Sequence, residues 1–246
     1  MELKQSERKN SKIKVAMLGS SGSGKTYSAL LVAHGITNDW SKICVVDTEA
    51  GSANLYAHLG DYKVLSLDNP FSPERYIQAI GLCEQSGIEV IIIDSISHCW
   101  EYLLASHAAM VGNSFTNWNK ITPRYNAWVQ KILQSNCHII CTMRTKQDYN
   151  LIEKNGKMTP EKAGTKAIMR EGIDYEFTIV LKMDLLHKAK VTKDRTGIFS
   201  GLSEFVPSVE TGKTILEWCN NEPKVIQLNP QNTYQNGSLA NYAKCG

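Results

Sequence analysis

No apolar stretch of this sequence approaches the roughly 18 residues that a membrane-spanning helix requires, so a membrane partner is not expected. The opening stretch, Met1 to Lys14, is polar and charged, lacks the apolar core of a secretory leader, and predicts a cytoplasmic protein. Cysteine is too thin for a cross-linked scaffold: 7 in 246 residues, none in a C-x-x-C pair, so reduced thiols are the expectation. Cys137 and Cys141 stand four apart in an apolar run, which puts them on one strand face and reads as core rather than metal ligands. The histidines are scattered and no H-E-x-x-H occurs, which excludes that class of zinc hydrolase. Charge of one sign is scarce as well. The 27 Lys and Arg against 24 Asp and Glu leave +3, which permits a nucleic acid partner without demanding one.

What is present is concentrated in one stretch, Gly19-Ser20-Ser21-Gly22-Ser23-Gly24-Lys25-Thr26, which fits the G-x-x-x-x-G-K-[ST] pattern of a phosphate-binding loop. Ile13 to Leu18 before it is suited to a buried strand, and Ala29 to Ala33 after it to a helix. Strand, glycine loop and helix are what the chemistry needs. Glycines let backbone N–H groups turn inward on phosphates, and the helix N-terminus adds partial positive charge. These eight residues and Tyr27 are the expected nucleotide-binding set. Lys25 is expected to reach the β- and γ-phosphates, and the Thr26 hydroxyl to ligate Mg²⁺.

Further along, Ile43 to Val46 reads as a second buried strand ending in Asp47-Thr48-Glu49. Acidic groups at the C-terminal end of such a strand sit where open α/β sheets bind ligands. Glu49 is therefore the candidate for orienting the attacking water; capping of a turn by Asp47 and Glu49 is the other reading. Tyr62 to Leu67 predicts a third strand, and Ser72-Pro73-Glu74 a helix start. Val90-Ile91-Ile92-Ile93-Asp94 has the form of a Walker B strand, with Asp94 as the second metal candidate. A helix is expected over 97–110 and another from Pro123 to Leu133.

Between Ser114 and Gln134, aromatic and basic residues interleave, and Trp118 is a candidate for stacking on a base. His138 to Thr142 predicts a fifth strand, with Thr142 and Arg144 at its end as candidate γ-phosphate sensors. Gln147 to Ile152 reads as one arm of a hairpin turning at Asn155-Gly156, and Thr159 to Ile168 as mobile. From Arg144 to Arg195 there are twelve Lys or Arg against eight Asp or Glu, a local excess that makes Lys146, Lys154 and Lys157 candidate DNA contacts. Ile173 to Met183 and Lys188 to Arg195 read as antiparallel partners, the second with Lys193 and Arg195 on one face. The expected class is α/β: a mainly parallel central sheet flanked by helices, with antiparallel strands added at the C-terminal end. Residues 12–219 are expected to form the domain, 1–11 a flexible lead-in and 220–246 a polar, disordered tail.

This order of motifs resembles the RecA-like ATPase core, in which the catalytic glutamate stands where Glu49 stands. Ile91-Ile92-Ile93-Asp94-Ser95 is similar to the Walker B of RecA and RadA. Lys193-Asp194-Arg195-Thr196-Gly197 is similar to the K-x-R-x-G segment of DnaB- and KaiC-type ATPases. That likeness implies that Lys193 and Arg195 serve the γ-phosphate of a neighbouring subunit in a ring or filament of identical chains. Phe115-Thr116-Asn117-Trp118, Cys141 to Lys146 and Arg170 to Phe177 resemble a phage-encoded RecA-core family associated with single-strand annealing and recombination. The resemblance implies ATP or ADP with Mg²⁺, slow hydrolysis raised by assembly or DNA, single-stranded DNA as partner, and a phage or prophage protein in a bacterial cytoplasm. Thr142-Met143-Arg144 stands where full RecA proteins carry a switch glutamine. A KaiC- or RadA-like ATPase that regulates or loads a protein partner without DNA is the alternative.

Overall fold

A computed structural model describes residues 11–154 and 157–221. The expected tail beyond 221, residues 1–10 of the lead-in and the Asn155-Gly156 turn lie outside the described residues. The first strand, β1 (Lys14–Gly19), runs into the phosphate loop, and helix α1 (Lys25–Thr37) leaves it. There follow β2 (Ile43–Asp47), β3 (Lys63–Ser66), α2 (Pro73–Gln85), β4 (Val90–Asp94), α3 (Ser97–Ala108) and α4 (Ser114–Gln134). The chain continues with β5 (His138–Lys154), β6 (Lys157–Ala167), β7 (Ile179–Met183), β8 (Ala189–Asp194) and α5 (Val209–Asn220).

The strand order is β3-β2-β4-β5-β1-β7-β8, with β6 paired to β5 alone. All neighbours are parallel except β7–β8 and β5–β6. The expected α/β architecture is thus the observed one. β2 and β4 are buried along their whole length, which is why they read as unbroken apolar runs. Period two still divides them: Ile91 and Ile93 join the core under α2, α3 and α4, whereas Val90 and Ile92 join the core under α1 and α5. Trp128 is fully buried in the first core between Tyr76 and Tyr125.

Three expectations are corrected. The helix expected from Pro123 begins at Ser114, because the Asn113 carboxamide oxygen caps it by accepting from Phe115 N at 2.8 Å and Thr116 N at 3.4 Å. Pro123 lies inside that helix rather than at its start. No strand was expected over Thr159 to Ile168, yet that segment is mostly β6, and pairs with β5 from Thr145↔Ala167 out to Lys154↔Lys157. The strand expected over Ile173 to Met183 begins only at Ile179. Gly172, at φ +86, opens a 3-10 turn over Ile173–Tyr175, and this turn sets Ile173 and Phe177 together into the core.

Candidate active site

The parallel register decides which side chains meet. Gly19 lies opposite Arg144, Met17 opposite Thr142, and Asp47 opposite Asp94, all toward the C-terminal ends of their strands. The phosphate loop, the Walker B carboxylate and Arg144 of β5 therefore border one cleft of about 600 Å³. Its walls include Ser21, Gly22, Gly24, Lys25, Thr26, Tyr27, Glu49, Asp94 and Arg144.

Gly22 and Gly24 hold φ +80 and +81, left-handed values that glycine adopts without a Cβ clash. Lys25 is mostly buried, and its ammonium donates to Gly19 O at 3.0 Å and Ser20 O at 2.8 Å. Burial pushes the Lys25 amine down from its ordinary value, and Asp94 and Glu49 oppose that shift. Ser23 is buried beneath the loop, its hydroxyl without a partner among the described residues. The Thr26 hydroxyl donates to Asp94 Oδ2 at 2.5 Å, and the Thr142 hydroxyl to Asp94 Oδ1 at 2.5 Å. Burial raises the Asp94 carboxyl, against the pull of those two hydroxyl donors. Thr142 is fully buried behind the carboxylate it orients, so of the two sensor candidates it is Arg144 that borders the cleft.

Asp47 and Glu49 part company. Asp47 caps the following turn, accepting from Glu49 N at 2.6 Å and Ala53 N at 3.0 Å. Glu49 faces the cleft and is gripped by the Arg144 fork, Nε to Oε1 at 2.9 Å and Nη2 to Oε2. This pairing holds the Arg144 guanidinium above its ordinary value. His98, a residue that sequence reasoning missed, stands 4.0 Å from Glu49 Oε1 and shares a 2.7 Å hydrogen bond with Thr48 Oγ1. Burial and then the Arg144 charge push His98 down, toward the neutral imidazole. Tyr56, His187 and the Val206-Pro207-Ser208 segment also line the cleft and were not anticipated. They arrive from a 3-10 segment, a strand turn and a loop, none with a motif to announce it.

The remaining candidates lie elsewhere. Lys193 and Arg195 share one face as expected, and both donate to Tyr175 O; Arg195 does so at 3.1 Å and is exposed. Because β8 runs antiparallel to β7, Asp194 pairs with Ile179 at the end of the sheet away from Gly19. Neither residue borders its own chain's cleft. Trp118 is half-buried against the first core, stacked on His107 at 4.2 Å and Trp100 at 6.0 Å. Lys146 is exposed at the root of the β5–β6 ribbon; the side chains of Lys154 and Lys157 lie outside the described residues.

The donor set fits a magnesium nucleotide. A hydroxyl and a carboxylate meet at 2.5 Å beside a buried ammonium, at the N-terminus of a 13-residue helix. Among the described residues no cluster of three or more His, Cys, Asp or Glu could hold a metal. No described helix is long and apolar enough to cross a membrane. No curated protein matches the sequence. The model of the AAA domain family matches residues 11–206. With that match spanning the sheet, the phosphate loop and Asp94, the chain belongs to the AAA domain family, an ATPase-type P-loop domain.

Proposed function

We propose that this protein binds and hydrolyses ATP and acts on single-stranded DNA, in recombination, annealing or replication of the phage-encoded RecA-core kind. One observation carries the ATPase reading: Lys25, Thr26, Asp94 and Glu49 converge on a single cleft, each on a different part of the polyphosphate chemistry. Thr26 and Asp94 are the residues that would hold Mg²⁺, which when bound neutralises charge on the β- and γ-phosphates. Lys25 adds a buried positive charge beside the same phosphates. Glu49 accepts a hydrogen bond from the attacking water and aims it at phosphorus. The Arg144 fork leaves it able to do so, since a carboxylate has about four acceptor sites and the fork uses two. Lys193 and Arg195 of a neighbouring copy stabilise the charge on the transferring phosphoryl group. The exposure of Arg195 and its distance from its own cleft along the strand favour service to a neighbour.

The DNA part rests on β5. This strand carries Thr142 and Arg144 at the site and continues without a break into a two-stranded ribbon bearing Lys146. A ligand on the ribbon is thereby joined to the groups that hold Asp94 and Glu49. The deciding experiment measures ATP hydrolysis with and without single-stranded DNA across a salt series, with Lys25→Ala as the control that loses nucleotide binding. Stimulation that fades steeply with salt supports the DNA reading. Turnover indifferent to DNA rejects it in favour of a KaiC- or RadA-like ATPase with a protein partner. Undiminished ATP affinity in Lys25→Ala overturns the nucleotide site itself.

A further inference from the structure

We propose that His187 is a polyphosphate-binding residue, a second grip on the nucleotide from the side of the cleft facing the phosphate loop; the proposal rests on the ATPase reading above. β7 lies beside β1, with Lys182 opposite Leu18, so the turn that follows β7 is rooted next to Gly19. The approach is close: a Cβ on Gly19 would stand 3.0 Å from Met183 O. The turn is held by Asp184, whose Oδ1 accepts from Leu186 N and Lys188 N, both at 2.9 Å. The Asp184 amide donates to Lys188 O at 2.9 Å, and the His187 amide to Asp184 O at 3.2 Å.

These bonds fix His187 at φ +62, in the left-handed region. Glycine would take that conformation without cost, yet the position carries an imidazole, and the imidazole is laid on the phosphate loop. A Cβ on Gly24 would stand 2.7 Å from His187 Nδ1, and the ring borders the same cleft as Lys25 and Thr26. Gly24 is the residue immediately before the lysine, where backbone N–H groups converge on phosphate. An imidazole N–H there can donate to a phosphate oxygen. It comes from a different element than Lys25 and reaches the anion from across the loop. Leu185 and Leu186, its neighbours in the turn, point their side chains largely to solvent and offer no such donor.

The test uses the full chain, as wild type, His187→Ala and His187→Gln. The readouts are affinity for ADP, competition by inorganic tripolyphosphate, steady-state ATP hydrolysis and the thermal midpoint. The expected result is about a tenfold loss of ADP and tripolyphosphate affinity in His187→Ala, the size of one hydrogen bond to a charged group. KM for ATP rises by a like factor, while kcat at saturation stays within about twofold. His187→Gln, which keeps a side-chain N–H donor, recovers most of the affinity. Tripolyphosphate has neither base nor ribose, so an effect on ADP alone would reject a phosphate contact. Wild-type tripolyphosphate affinity in His187→Ala would overturn the proposal, as would a glutamine variant no better than alanine at an equal thermal midpoint. If His187→Ala fails to fold, the glutamine variant decides: near wild-type affinity supports the contact, and alanine-like loss of tripolyphosphate binding rejects it. Failure of the folded wild type to bind ADP would instead bring down the ATPase reading.

Discussion

Single residues in this protein are set by what surrounds them more than by their letters. Asp47 and Glu49 are two positions apart and both acidic, yet one is buried in a turn cap and the other faces the nucleotide cleft. In its proposed role of orienting the attacking water, Glu49 is expected to matter to rate and little to binding. Glu49→Gln should keep nucleotide affinity and lose on the order of 10²-fold or more in turnover, as read by phosphate release against nucleotide titration. An unchanged rate would remove Glu49 from the chemistry. At the other end of the sheet, His138 is buried and its Nδ1 accepts from Ile13 N at 3.2 Å. Burial, aided by the charges of Lys12 and Lys14, lowers its pKa to about 3. The unfolded chain then binds a proton that the folded chain refuses between the ordinary value of 6.5 and about 3. Stability therefore falls as pH drops through that window, by at most about 1.4 kcal/mol per pH unit from this group. His138→Gln should flatten the dependence of the urea midpoint on pH between about 6 and 4; a slope equal to wild type would show that other groups carry it.

Elements are positioned by close approaches that only small residues allow. Helices α1 and α5 cross where Gly35 meets Gly212: a Cβ on Gly212 would stand 2.1 Å from Val32 O, and one on Gly35 2.0 Å from Val209 O. The helix that begins at the phosphate loop is thus backed by the last described helix of the chain. Gly212→Ala should separate the pair and destabilise the fold by about 1–3 kcal/mol, measured by urea denaturation. It should also weaken nucleotide binding, since α1 carries Lys25 and Thr26. Strands β1, β2 and β4 were legible because burial on both faces demands unbroken apolar runs. The long helix α4 was half missed because Pro123 reads locally as a start, while the true start rests on the Asn113 cap and on packing of Trp118, Tyr125 and Trp128. The outer ribbon was half missed because β6 is stabilised by its pairing with β5, and Lys- and Thr-rich strands of that kind have no apolar signature.

At the scale of the whole molecule, the proposed site is divided between copies. The nucleotide cleft opens at the C-terminal ends of the parallel strands, while Arg195 is exposed at the opposite end of edge strand β8. Hydrolysis should therefore depend on assembly. Arg195→Ala is expected to bind ATP normally and to lose on the order of 10³-fold in turnover, within the range of an arginine finger. Mixing Arg195→Ala with Lys25→Ala should restore part of the activity, because some interfaces then combine an intact phosphate loop with an intact arginine. Light scattering on the mixture checks that the two variants assemble. An inactive mixed assembly would exclude the trans arrangement.

The sequence alone determined the phosphate loop, the Walker B carboxylate and the alternation of strand and helix. Those features are local: each is written into consecutive residues by spacing, glycine content and apolar runs. Tertiary structure decided what depends on residues far apart in the chain. The pairing of Glu49 with Arg144, the orientation of Asp94 by Thr142, and the placing of His187 on Gly24 all follow from strand order and register. A parallel sheet brings strand ends together irrespective of their separation in sequence, so the side chains that meet there leave no pattern along the chain from which their contact could be read.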